Sequence, residues 1–416
     1  MKGKITVTKV STVNGRLEVL YNIDGEVRKY FKPGVNTFWA EYNENIDSVP
    51  QSIAVIPFVG NVLPIVWLAD AELVVDELDK TFYECLPEVR HGYILLSPML
   101  DFLGGRITVK RVIDNGYHPS QQEAVLFSGG VDAFATLFNH VYSKPMLITL
   151  HGSDIALDDE EGWRVVSTHV NSTAKILNLP EPRFVKTNFR EFIAGKEWRL
   201  IRKSGESWWH GYQHGLGIIS HAAPIAWLHK LNRIYIASSY SYEYKVICAS
   251  DPVIDSHVRF AGTEVRHDGY YMNRIDKVKK IVDVCESSGK NIQLRVCYIS
   301  RGGHNCCKCE KCIRTIFNIL AVNGNPERYG FNMVMDVAKQ YKNIVMKELA
   351  DNKHIRFYWH PIQDYIKLHR PTAIIDNTDY NWILNLNIDK NRPIAVRLYR
   401  KFKNGLHKIQ KGIRQF

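Results

Sequence analysis

Three things are scarce in this chain of 416 residues. The first is a long apolar run. The longest, IAVIPFVGNVLPIVWLA at residues 53–69, is about one turn short of a bilayer span, and Pro57, Gly60, Asn61 and Pro64 interrupt it. Buried core is its expected fate, with membrane association as the alternative. The second is scattered cysteine. There are eight cysteines, and five crowd into residues 297–312, which is not the pattern of a secreted disulfide protein. The opening MKGKITVTKV shows no apolar region behind its lysines, so no secretory leader is expected. A metal site in a reducing, cytoplasmic setting follows as the expectation. The third is acid near the C-terminus. Residues 390–416 hold nine Lys/Arg and no Asp/Glu, so nine of the eleven net positive charges sit there. The rest of the chain is close to neutral, and its basicity says little about its substrate.

What is present is ordinary globular composition, 45% hydrophobic and 23% charged, which excludes wholesale disorder. The length allows two or three domains with a large core. KITVTKV, RLEVLYNI and EVRKYF read as strands, with Asn14-Gly15 and Asp24-Gly25 as hairpin turns between them. DAELVVDELDKTFYECL, residues 70–86, reads as helix. The polar segment NGYHPSQQ places a boundary near residue 118. Beyond it, short apolar strands (EAVLF, PMLITL, RFVKTN, RIYIAS, IQLRVCY) alternate with helical segments, which predicts an α/β fold with a doubly wound parallel sheet. The expected organisation is a β-rich domain over 1–118, an α/β domain over 119–335, and a helical region over 336–416.

EAVLFSGGVDAFATLFNH, residues 123–140, carries the strongest chemical signal. Neither of the common nucleotide loops is present: no G-x-x-x-x-G-K-[ST], and no G-x-G-x-x-G after a strand. Instead Ser128-Gly129-Gly130 joins an apolar strand to a helix. Glycines let the backbone approach a ligand closely, and the first helix amides have no internal partners. Such a turn suits a phosphate, to which Ser128 can add its hydroxyl. Asp132 falls in the first helical turn, where a bridging Mg²⁺ would reconcile a carboxylate with phosphates. The competing reading is a tight strand–helix connection with an aspartate complementing the helix dipole.

LFSGGVDA resembles the SGGxD[ST] motif of the PP-loop ATP pyrophosphatases. The resemblance implies a PP-loop (HUP-like) sheet, ATP and Mg²⁺ as cofactors, and cleavage between the α and β phosphates to form an adenylated substrate. Carried over, Ser128, Gly129, Gly130, Val131 and Asp132 would hold the pyrophosphate and magnesium. The motif departs at Ala133, where Ser or Thr is usual. His151-Gly152-Ser153-Asp154 ends the second strand, beside the adenine and ribose in that superfamily.

In VCYISRGGHNCCKCEKCIRT, Cys297, Cys306, Cys309 and Cys312 form C-x8-C-x2-C-x2-C. Four thiolates at this spacing fit a closed, structural zinc site. An iron–sulfur cluster takes the same ligands, and free thiols or a redox pair are the bland alternative. Cys307 is the expected odd one out, with His304 close by. A PP-loop followed by this cluster resembles 7-cyano-7-deazaguanine synthase over residues 121–330, with Cys307 in the family's glycine position. That resemblance implies adenylation of a deazapurine-type carboxylate, then attack by ammonia or by an amine, including one on a protein acceptor. The N-terminal domain is an addition to that enzyme. Rival readings are adenylation of a sugar or cell-envelope precursor, tRNA modification, and a non-catalytic nucleotide-binding adaptor, which Ala133 favours.

Lys277 resembles a lysine at the start of a helix in those enzymes, where it would balance phosphate or acyl-adenylate charge; a solvated helix face is the alternative. SGESWWHGYQHGLG, residues 204–217, reads as a lid or base-stacking surface, or as core anchored by Trp208 and Trp209. No histidine among the sixteen is singled out. Ile394, Leu398, Phe402, Leu406, Ile409 and Ile413 fall on one face of a basic helix, which suits packing on its own protein or a partner, a membrane surface or, less readily, nucleic acid.

Overall fold

The computed structural model describes residues 2–297, 299, 302–332 and 338–389. The basic helix expected between Ile394 and Ile413 lies outside the described residues. Two compact units are present, Met1–Asn305 with Arg328–Gly330, and Cys306–Glu327 with Phe331–Phe416.

The first unit contains one eleven-stranded sheet. Its strands are β1 (Gly3–Val13), β2 (Arg16–Gly25), β3 (Thr37–Tyr42), β4 (Glu72–Asp79), β5 (Arg106–Ile113), β6 (Glu123–Leu126), β7 (Met146–His151), β8 (Arg183–Thr187), β9 (Arg233–Ala237), β10 (Arg259–Phe260) and β11 (Thr263–Asp268). The helices of ten residues or more in this unit are α1 (Ile56–Leu68), α2 (Lys80–Leu96), α3 (Val131–His140), α4 (Glu160–Leu177) and α5 (Arg274–Ser288). The strand order is β10-β11-β9-β6-β7-β8-β3-β2-β1-β4-β5. Six pairings are parallel and four antiparallel. The protein is therefore α/β, with a mixed and mostly parallel sheet. From β6 the chain builds outward through β7 to β8, then returns to the other side of β6 as β9 and β11. The connection reverses between β6 and β9, and such a reversal leaves a crevice at the carboxyl ends of the two strands.

Local chemistry accounts for several elements. Asn14 and Gly15 have φ of 52° and 77°, as a two-residue hairpin turn requires, and Val13 pairs with Arg16 across it. Every residue of α1 is buried. Its polar Asn61 is satisfied inside, donating to Pro57 O and Gly217 O and accepting from Gln213 Nε2. This is core, and no helix among the described residues is long and apolar enough to cross a membrane.

Three sequence expectations are corrected. Glu72–Asp79 is strand, not the start of a helix: Leu73, Val75 and Leu78 are buried, and the segment sits between two parallel neighbours, β1 and β5. Asp79 ends it by accepting from Phe82 N at 3.0 Å, so the helix starts only at Lys80. EVRKY is a 3-10 turn rather than a third strand, entered through Gly25 at φ 78°. IQLRVC carries no strand. Its amides turn elsewhere: Leu294 N to Tyr329 O, Arg295 N to Gly129 O, and Val296 N and Cys297 N to Asn305 Oδ1. The last parallel strand is instead β11, which pairs with β9 from Glu264↔Arg233 to Asp268↔Ala237.

The second unit is helical among its described residues, with α6 (Glu310–Ala321), α7 (Tyr341–Asp351) and α8 (Arg356–His369). Phe317 of α6 makes edge contacts with Trp359, Tyr380 and Trp382. Glu310 accepts from Trp359 Nε1 at 2.8 Å, and Arg314 lies 3.9 Å over the Tyr358 ring. These contacts fix α6 in an aromatic core.

Candidate functional site

The Ser128-Gly129-Gly130 turn follows β6 directly, at the crevice where the strand order reverses. Gly129 has φ 76°, and an added Cβ would lie 2.9 Å from His169 Nε2. Glycine is required here by backbone conformation and by space. Arg295 holds the turn from behind: its amide donates to Gly129 O at 2.8 Å and its Nε to Ser128 O at 3.2 Å. Gly130 is the N-cap of α3 and offers no side chain to it. By contrast α2, α4 and α5 are capped by their own Asp79, Asp159 and Asn273. The first intrahelical bond of α3 runs from Phe134 N to Gly130 O at 3.0 Å. The Val131 and Asp132 amides precede it, so the positive end of α3 lacks a side-chain cap. Val131 itself is buried, so only its backbone can meet a ligand.

Asp132 and Lys277, both singled out in the sequence, meet. Lys277 Nζ donates to Asp132 Oδ1 at 3.1 Å and to Ser238 O, just beyond β9, at 2.5 Å. Arg274, the first residue of α5, pairs with Asp132 Oδ2 at 3.1 Å. The side chains of Arg274 and Lys277 are 9% and 3% exposed against 20% for Asp132, so this is a largely desolvated cluster of two cations and one carboxylate. Burial pulls Lys277 below the ordinary lysine value, and the Asp132 charge opposes that pull. The charge beside the uncapped helix end is net positive, which favours an oxyanion.

Beside the loop, burial and the Arg295 charge lower His169 to about 4, so its imidazole is neutral near pH 7. Burial also lowers Arg295, with Asp154 opposing. His151, at the end of β7, stacks on Trp163 with ring centroids 4.5 Å apart, and its Nε2 bonds Ala156 O. Asp154 lies 3.9 Å from Arg295. Sequence reasoning missed Arg274, Arg295 and His169. Arg274 had one readable signal, its place beside the Asn273–Asp276 capping box that opens α5. The other two had none, because their partners are distant in the chain.

The second cluster is Cys297, Cys306, Cys309 and Cys312, whose Sγ atoms all lie within 4.8 Å of one another. The Cys306 and Cys312 sulfurs are 3.9 Å apart. Zn–S bonds of about 2.3 Å at tetrahedral angles put sulfurs about 3.8 Å apart, so these four side chains can hold a metal ion such as zinc. Cys309 is the N-cap of α6 and Cys312 lies in its first turn, where the helix dipole favours thiolate. Cys307 is outside this group and has φ 54°, a left-handed backbone that glycine adopts readily.

Compared with known protein families, curated proteins and solved structures, the chain matches none.

Proposed function

We propose that this protein is an ATP-dependent enzyme that activates a carboxylate as an acyl adenylate for attack by ammonia or an amine. The supporting observation is the glycine turn at the carboxyl end of β6: it stands where the sheet order reverses and leads into a helix without a side-chain cap, next to Asp132, Lys277 and Arg274. In this reading Ser128, Gly129, Gly130 and the Val131 and Asp132 amides carry the phosphates, and the sheet has the PP-loop arrangement. Asp132 would be the residue to hold a Mg²⁺, which would neutralise charge on the phosphates. Lys277 and Arg274 hold Asp132 in place and add positive charge where pyrophosphate departs. The four cysteines would hold a metal ion such as zinc, which would crosslink the loop in a structural role. A deazapurine-type acid is the first substrate to try.

The test incubates the zinc-loaded protein with Mg-ATP, 7-carboxy-7-deazaguanine and ammonium, and follows nucleotide and acid by mass. AMP that depends on the acid and falls at least about 100-fold in Asp132→Asn is the expected result. Ser128→Ala, at an exposed position outside the buried ion cluster, probes the same loop with little risk to folding. ADP in place of AMP would refute the reading.

A further inference from the structure

The segment at residues 204–217 left its histidines without roles, and the geometry assigns one. It contains a short π-helical turn, Trp209–Gln213, an irregularity often found at functional sites. His210 is pinned there by its backbone, its amide donating to Ser207 Oγ and its carbonyl accepting from Ala249 N. Its Nδ1 lies 2.9 Å from Glu206 Oε2, and its Nε2 lies 2.9 Å from the Tyr240 hydroxyl. A carboxylate oxygen only accepts, so Nδ1 donates to Glu206, and the tautomer with its one proton there leaves Nε2 to accept from Tyr240. Tyr240 stands three residues past β9, two beyond Ser238, whose carbonyl holds Lys277. Its loop is fixed by Ser238 Oγ to Tyr240 O at 2.6 Å and by Tyr242 N to Tyr270 O at 3.0 Å. The Glu206, His210 and Tyr240 side chains thus form a directed hydrogen-bonded line ending at the carboxyl edge of the sheet, beside the strand that flanks the glycine turn.

We propose that Tyr240 is the proton acceptor for the attacking amine, with His210 and Glu206 as its positioning residues. This rests on the acyl-adenylate reading. The amine nitrogen attacks the acyl carbon and forms the C–N bond. The bond from that carbon to the adenylate oxygen breaks, and AMP leaves with the electron pair. The proton released by nitrogen passes to the Tyr240 oxygen as the phenolic proton moves to His210 Nε2. Glu206 stabilises the imidazolium that results. General acid–base steps of this kind are worth about 100-fold to 10,000-fold.

The experiment separates the two half-reactions in Tyr240→Phe, which removes one oxygen atom. Exchange of labelled pyrophosphate into ATP, dependent on 7-carboxy-7-deazaguanine, reports adenylation; amide formation from ammonium reports transfer. The expected result is a kcat for amide formation at least about 100-fold lower relative to exchange, with KM for the acid unchanged. Glu206→Gln keeps a neutral hydrogen-bonding side chain and is expected to lose about 10-fold. Nitrogen-15 shifts should show His210 protonated at Nδ1, identified by the signal that His210→Gln removes. Unchanged amide formation in Tyr240→Phe, or the opposite His210 tautomer, would overturn the assignment alone. No acid-dependent exchange in the wild-type protein would overturn the adenylation reading and this assignment together.

Discussion

At Gly129 one added methyl group meets two objections at once, a left-handed backbone and His169 Nε2 at 2.9 Å. Gly129→Ala is expected to cost about 1–2 kcal/mol in backbone strain alone and, on the proposed function, to weaken ATP binding at least about 10-fold, read by calorimetry. Cys307 shows the converse case, a side chain where glycine would sit more easily. Cys307→Gly should keep one metal ion per chain by elemental analysis, whereas Cys312→Ser should lose it; loss in both would make Cys307 a ligand. His221 supplies a pH test. Its Nδ1 donates to Gly217 O and its Nε2 accepts from Thr187 Oγ1, so the neutral ring is fully satisfied, and burial lowers it to about 4. Its folded value lies below the ordinary 6.5, so the unfolded chain binds the proton first as pH falls. The stabilisation is present above about pH 6.5 and is lost towards pH 4, by about 1.4 kcal/mol per pH unit per histidine. Urea midpoints between pH 7 and 4 should fall, and less steeply in His221→Gln. At this scale the sequence was legible where the signal is local. Ser128, Gly129 and the cysteine spacing are contiguous patterns. The Arg295–Ser128 contact spans 167 residues and the Lys277–Asp132 contact 145, so no window of sequence contains either pair.

At the scale of elements, the Asn14-Gly15 hairpin was readable, while the expected Asp24-Gly25 hairpin gave way to a 3-10 turn and backbone pairing was not readable. ELVVDELD has charge enough to pass for helix, but the backbone ladders of β1 and β5 decide otherwise. IQLRVC has the composition of a strand, yet its amides serve the glycine turn and Asn305. Asp79 shows how much one residue carries at an element boundary. It is fully buried, accepts from Phe82 N and Ala261 N, and receives Asn115 Nδ2. Asp79→Ala removes a cap and leaves buried donors unpaired, an expected loss of about 2–4 kcal/mol by urea denaturation. A loss under about 0.5 kcal/mol would mean the helix start is held by packing instead.

Across the whole molecule, the alternation of strands and helices after residue 121 was enough to expect a parallel sheet. The reversal between β6 and β9, and the continuation of the same sheet through β8 and β3 into β2, β1, β4 and β5, became visible only in the structure. Topology is what gives the glycine turn its meaning, because a short Ser-Gly-Gly turn alone is a weak signal. Its place at the reversal, before a helix without a side-chain cap and beside buried cations, is what supports the proposal that it binds a phosphate chain. The central claim is that ATP is spent on joining a carboxylate oxygen to the α phosphorus. The most direct measurement uses 7-carboxy-7-deazaguanine labelled with oxygen-18 in its carboxylate, with Mg-ATP and ammonium, and weighs the nucleotide product. The account predicts AMP carrying one labelled oxygen. Unlabelled AMP, or ADP and phosphate, would contradict it.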